Sequence, residues 1–294
     1  MKIFIASSEE HSGKIEEDMY INNMCISLGI ESEISTIKNI IKKARKNDFI
    51  LIKSIWGYYK NSNLFLSQIK KLKENDVKII NDSKFIFWNV NKINYLKDIK
   101  NIGIIPTYPI FQRKIKSNKW LDGYIENISK KLNTKNLVIK PCIGESGYLT
   151  NKINIESDKK KILNIINKNN KKDFILQPYI PEISKGEISI INIQGKIMYG
   201  IKRFPGILID KRETKYINNK NIPIEIKNII NNLNKYLSKK FKSLPTIARI
   251  DFIHKNNKYY ILEVELIDPD LFFRKIPKKI KKEVFLEIKK SIFD

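Results

Sequence analysis

Along the first eighty residues, short apolar runs alternate with longer amphipathic stretches. KIFIA at 2–6, FILIK at 49–53 and VKII at 77–80 have the length and composition of strands. Between them, 14–28 and 62–73 carry apolar residues at helical spacing. This rhythm predicts βαβ units around a mostly parallel sheet, an α/β domain over residues 1–90. Residues 83–103 then place Trp88, Tyr95, Leu96 and Ile99 at helical spacing up to Gly103, predicting a helical bridge before IIPTYPI resumes as a strand. Beyond it, LVIKP, FILQPYI, EISIINI, KIMYGIKRF, TIARIDFIH and YYILEVELI read as strands, and 157–169 and 224–242 as helices. The later chain is therefore α+β with a largely antiparallel sheet, divided at about 180 into a central and a C-terminal part (91–180 and 181–294).

The chain has 294 residues and is 42% hydrophobic, enough for a substantial core. A net charge of +25 raises nucleic acid as a partner, because clustered Lys and Arg gain affinity by releasing counterions from phosphates. The basic runs KKARKN, NKNNKKD and PKKIKKE are instead scattered through a chain rich in Ile and Asn, a pattern that A/T-rich codons explain. No zinc knuckle, ribonucleoprotein motif or basic arm accompanies them, so no specific nucleic acid is expected. Cys25 and Cys142 are too few for a disulfide framework or a Cys-rich zinc site and fit a reducing cytoplasm. MKIFIASSEE turns acidic too soon for a signal peptide, and no later segment has the apolar length of a membrane span.

Chemistry concentrates in TIARIDFIHKNNKYYILEVELI, which reads as a hairpin. Alternation puts Arg249 and Asp251 on one face of the first strand, and Glu263 and Glu265 on one face of the second. A two-residue Asn256-Asn257 turn would set Asp251 opposite Leu262, whereas an odd loop centred on Asn257 sets Asp251 opposite Glu263 and Arg249 opposite Glu265. The odd loop is preferred because it also gathers Ala248, Ile250, Phe252, Leu262, Val264 and Leu266 on one apolar face. Three carboxylates at close range repel unless a hard cation sits among them, Mg²⁺ being usual beside phosphates. NLVIKPCIGESGYLT offers a phosphate cradle: a strand delivers Lys140, and Gly144, Ser146 and Gly147 form a short loop with accessible backbone N–H groups. By itself this loop is an ordinary turn, since it fits neither the Walker pattern nor the dinucleotide fingerprint. His11 and His254 are too few for a histidine metal site, Cys142 reads as packing, and Trp56 and Tyr58 as core.

The order of these motifs resembles the ATP-grasp superfamily: a Lys, a Lys-Pro with a Gly-containing flap, a hinge, a Gly-Glu, an Arg-x-Asp and a Glu-x-Glu. Within it, IEEDMY, SIWGYY, FWNVNKINYL, IPTYP, LQPYIPEISKGEIS and LEVELIDPDLFF are similar to the glutathione-synthetase-like branch that includes the cycloserine-forming ligase, over residues 3–273. The resemblance implies that Lys92 and Lys140 bind ATP phosphates, that Gly144 to Tyr148, with Ser146 and Gly147, close over them, and that Gln177, Tyr179 and Ile180 form the adenine hinge. It implies Glu187 at the ribose, Lys202 as a further phosphate-side and catalytic lysine, Arg249 at the transferring phosphoryl group, and Asp251, Glu263 and Glu265 on Mg²⁺, or Mn²⁺. Residues 53–58 and Asp270 depart from the branch and are read as substrate-facing; FPGILIDKRETKY matches poorly, with Arg212 as the nearest counterpart of an expected arginine.

The implied activity is an ATP-dependent carboxylate-amine ligase working through an acyl phosphate on a small amino-acid-like or peptide substrate. Alternatives are a ligase acting on a peptide or protein acceptor and a non-catalytic ATP-grasp protein that binds nucleic acid. A homodimer is compatible with the resemblance, and no membrane partner is expected.

Overall fold

Every residue of β1 (Ile3–Ser7) is buried, as in a strand covered on both faces. After it come α1 (Glu16–Ser27), β2 (Ser32–Thr36), α2 (Ile37–Lys43), β3 (Phe49–Ile52), α3 (Ser62–Glu74) and β4 (Lys78–Ile80). The strands form an all-parallel sheet in the order β2-β1-β3-β4. The computed structural model describes residues 1–205 and 213–293, so Arg212 lies outside the described residues.

The bridge is two helices, α4 (Ser83–Asn89) and α5 (Lys92–Asp98), where the spacing alone reads as one. Asn91 is extended, and its side chain accepts from the Ile93 N–H, capping a new helix in mid-segment. The chain continues as β5 (Tyr108–Ile110), α6 (Asn118–Leu132), β6 (Asn136–Pro141), β7 (Asn151–Asn154), α7 (Lys159–Lys168) and β8 (Phe174–Pro178). These strands make an antiparallel sheet ordered β5-β8-β6-β7.

The third sheet, also antiparallel, comes from β9 (Glu187–Ile193), β10 (Lys196–Arg203), β11 (Thr214–Asn218), β12 (Ile247–Lys255) and β13 (Lys258–Glu265), ordered β11-β10-β9-β12-β13. Between β11 and β12, α8 (Ile224–Phe241) buries Ile226, Ile230, Leu233 and Leu237 at helical spacing against Ile190, Ile250, Phe252 and Val264. On the opposite face, Ile191, Ile193, Tyr199 and Ile201 pack with Val284, Phe285 and Ile288 of α9 (Lys278–Phe293). None of the described helices is long and apolar enough to cross a membrane.

Two asparagines splint the first sheet's connection to the third. The Asn81 amide donates to the carbonyls of Ile247 (2.6 Å) and Leu266 (2.7 Å), while its oxygen accepts from Ile247 N–H (2.8 Å). Asn89 donates to Val264 C=O (2.8 Å) and accepts from Leu266 N–H (2.9 Å). Both side chains are buried, so water cannot replace them. Asn81→Leu strips partners from buried backbone groups and should lower stability by about 3 kcal/mol, read as a lower urea midpoint with an unchanged slope.

Candidate active site

The sheet face that packs on α9 changes character along its length. At one end it carries Ile191, Ile193, Tyr199 and Ile201; at the other, the same alternation presents Glu187, Ser189, Arg203, Arg249, Asp251, Glu263 and Glu265. Asp251 lies opposite Glu263 and Arg249 opposite Glu265, but not because of an odd loop. Lys255 pairs with Lys258 around a two-residue Asn256-Asn257 turn, both residues left-handed (φ 49° and 59°), the geometry of a type I′ hairpin. The extra residue is a β-bulge between the Asp251–Glu263 and Phe252–Ile261 pairs. Ile261 therefore takes the core place expected for Leu262, and Leu262 packs beside Ile105, Ile180 and Ile253 at the cavity.

Asp251 is the most heavily bonded acid. Arg249 grips it with two N–H donors (3.0 and 2.9 Å), Arg203 reaches it at 2.9 Å, and Ser189 Oγ donates at 2.6 Å. Burial pushes its carboxyl up, but Arg203 and Arg249 more than offset this and bring it to about 2. Glu265, bonded to Arg249, goes the other way: burial dominates, Arg249 offsets only part, and the carboxyl rises to about 8. Glu263 pairs with Lys92 Nζ at 3.0 Å. Asp251, Glu263 and Glu265 can each offer an oxygen within 4.8 Å of the others. An all-oxygen donor set on a buried face where Glu265 resists ionisation fits a hard divalent cation.

Lys92 and Lys140 both line the cavity next to this face. Lys92 Nζ also donates to Gly144 C=O (2.6 Å), joining α5 to the loop after β6. Burial lowers the Lys140 pKa, and its Nζ makes no hydrogen bond to a described residue. In the loop, Ser146 (φ 50°) and Gly147 (φ 74°) are successive left-handed residues, a turn that glycine allows without strain. The loop docks on the segment after β3: Glu145 accepts from Gly57 N–H, and Tyr148 packs on Tyr59 with ring centroids 4.4 Å apart. Gln177, Tyr179, Ile180 and Glu187 line the same cavity, whose volume is about 510 Å³. Gln177 is fixed by Thr107 (2.8 Å), and Glu187 by Arg203 (2.8 Å).

Lys202 is not with them. It pairs with Ile188 and Lys215 on the sheet's other face, its Nζ 5.0 Å from the centre of the Phe204 ring. Alternation gives the cavity to Arg203 instead, one residue along KRF, and the motif alone does not fix that parity. Trp56, expected in the core, is 39% exposed at the cavity wall. Tyr58 also lines the cavity and packs at a tilt against Phe65, ring centroids 5.1 Å apart. Lys53, expected to face substrate, is buried: it pairs with Glu17 and donates to Pro269 C=O (2.6 Å). Glu17 in turn accepts from the N–H groups of Leu271 (3.0 Å) and Phe273 (3.4 Å), so α1 and the residue after β3 hold the loop bearing Asp268 and Asp270. His11 hydrogen-bonds Ser8 and packs edge-on to Trp56, while His254 is exposed against Tyr259 near the hairpin turn. Cys142 is core packing, its thiol pushed up by burial.

Residues 120–271 match the family described as prokaryotic glutathione synthetase, ATP-grasp domain. No curated protein sequence matches the chain significantly. Among solved structures, the D-cycloserine synthetase DcsG superposes with TM-score 0.81 at 15% identity, covering 99% of each chain. The D-alanine–D-alanine ligase of Bacillus anthracis complexed with ATP gives 0.67 at 17% identity, over 99% of this chain and 96% of that one. The ATP-grasp ligase PsnB complexed with a minimal precursor, Mg and ADP gives 0.63 at 11%, covering 97% of each. At such identities the likeness establishes the fold.

The depressed Asp251 carboxyl stabilises the metal-free protein above the unfolded value near 4, and that contribution is lost as pH falls towards about 2. Asp251→Asn leaves two arginines short of their counter-ion and should cost about 3 kcal/mol near neutrality. Urea unfolding in EDTA checks both: the gap between the native protein and the variant should narrow steadily below pH 4.

Proposed function

The chain belongs to the prokaryotic glutathione synthetase ATP-grasp family and is an ATP-dependent amide-forming ligase, and on that premise we propose that it joins a small amino-acid-like carboxylate to an amine through an acyl phosphate. One observation carries the reading: a single cavity is lined by the acid triad, by Lys92 and Lys140, and by the loop from Gly144 to Tyr148.

Lys92 and Lys140 hold the ATP phosphates from one side, and the backbone N–H groups of Gly144, Ser146 and Gly147 cover them from the other. Gln177, Tyr179 and Ile180 hold the adenine; the Ile180 N–H donates to no described acceptor and is free to do so. Glu187 takes the ribose hydroxyls. Asp251, Glu263 and Glu265 hold Mg²⁺, with Mn²⁺ as a substitute, and the bound ion supplies charge neutralisation at the phosphates. Arg249 and Arg203, already aimed at Asp251, lie where charge develops on the phosphoryl group.

A substrate carboxylate oxygen attacks the γ-phosphorus and ADP leaves. The amine nitrogen then attacks the acyl carbon, forming the C–N bond and releasing phosphate. Fixed positive groups stabilise both transition states, and the docked loop keeps water from the acyl phosphate. Relatives named for D-cycloserine and for D-alanine–D-alanine have small products, whereas PsnB takes a precursor peptide. A cavity of about 510 Å³ suits ATP with a small co-substrate better than an extended chain. An enzyme consuming ATP in this way works in the cytoplasm.

With Mg·ATP and pools of amino acids and small carboxylates, phosphate release should require a particular pool. Hydroxylamine should intercept the acyl phosphate as a hydroxamate. Arg249→Ala should slow release about a hundredfold, and Glu263→Gln, which removes a ligand of the divalent ion, should abolish it; release that ignores every pool would exclude a small-molecule ligase.

A further inference from the structure

Lys92, Lys140, Arg203 and Arg249 gather around the acid triad. Asp268 and Glu145, which also line the cavity, lie close enough that, beyond burial, the charge of Glu145 pushes the Asp268 carboxyl up, with Tyr58 beside both. Oδ2 of Asp268 and Oε2 of Glu145 are shielded from solvent, and neither has a hydrogen-bond partner. These acids come from unrelated elements: Asp268 follows β13 on the loop held by Lys53 and Glu17, and Glu145 sits in the loop over the phosphate site. The other oxygen of Glu145 already holds Gly57 N–H, tying that loop to the segment bearing Trp56 and Tyr58. Two shielded carboxylate oxygens without donors are costly, and a ligand bringing several N–H donors with positive charge removes that cost.

We propose that Asp268 and Glu145 form the receptor for an ammonium group on the carboxylate-bearing substrate, making that substrate an amino acid bound as its zwitterion. The assignment rests on the ligase reading and names the substrate class of the same cavity. An ammonium has no lone pair, so the amine gripped here is not the one that attacks. Two carboxylates keep it protonated and spare it from acylation, while the substrate's own carboxylate points to the cationic region and the phosphoryl group. Trp56 and Tyr58 supply ring faces that tolerate a cation. Because one receptor acid lies in the loop over the phosphates, filling the receptor also fastens that loop, so phosphoryl transfer is favoured when the correct substrate is present.

The test measures amide hydrogen exchange of residues 144–150 in the full chain with Mg²⁺ and a non-hydrolysable ATP analogue, adding a pool of free amino acids or the same pool N-acetylated. The free-amine pool should slow exchange beyond the nucleotide alone, the acetylated pool should not, and Asp268→Asn should remove the difference, as should Glu145→Gln. In turnover, Asp268→Asn should raise KM for the amino acid about tenfold or more with a smaller change in kcat. Equal protection by the acetylated pool, protection by Mg²⁺ alone, protection unchanged in Asp268→Asn, or no protection by either pool would each overturn the assignment. Ligation without discrimination would sink the receptor and leave the ligase standing; amine-specific protection without turnover would do the reverse.

Discussion

The grip of Arg249 and Arg203 on Asp251 is the interaction around which the site is arranged. An acid buried at the ionised end of a sheet face is tolerable only where cations are fixed beside it. Arg249, from the same strand, bonds both Asp251 and Glu265, and Arg203, two strands away, bonds both Asp251 and Glu187. Three acids, one each on β9, β12 and β13, are thereby held by two guanidinium groups, whose planar forks fix direction as well as charge. The bulge beside Leu262 serves the same end. It keeps Glu263 and Glu265 opposite Asp251 and Arg249 while a tight two-residue turn closes the hairpin.

Central strands were legible because burial on both faces writes itself as apolar runs such as FILIK and EISIINI. Three edge strands escaped that reading: β2 (SEIST), β7 (NKIN) and β11 (TKYIN) are short, polar and only partly buried. The helix α9 hid behind its lysines, since PKKIKKE reads as a charge run until Val284, Phe285 and Ile288 are seen to pack. In the site, the Asp251–Glu263 and Arg249–Glu265 pairs were foreseen for the wrong reason. The alternation was correct, but a bulge leaves no mark in composition that separates it from an odd loop.

Lys202 shows a second limit. In KRF two adjacent cations point to opposite faces, and only the pairing of Arg203 with Glu187 across the sheet settles which one meets the acids. Asp268 and Glu145 were invisible for a related reason. Each is an unremarkable acid in its own loop, and their significance lies in a meeting of segments more than a hundred residues apart. Local pattern reports which way a side chain leaves the backbone; it does not report what arrives from elsewhere.

Lys53 and Glu17 belong to the first fifty-three residues, yet they carry the loop that presents Asp268 and Asp270. Lys140 and the glycine loop stand on β6 and its sequel, and the acid triad on β12 and β13. Asp268 is thus presented by the N-terminal segment, whereas Glu145, its neighbour in the cavity, travels with the loop after β6. Drift in the N-terminal segment therefore moves one of these two acids and leaves the other in place, so that changes more than two hundred residues away in the chain reset the spacing of two carboxylates without altering a residue of the triad.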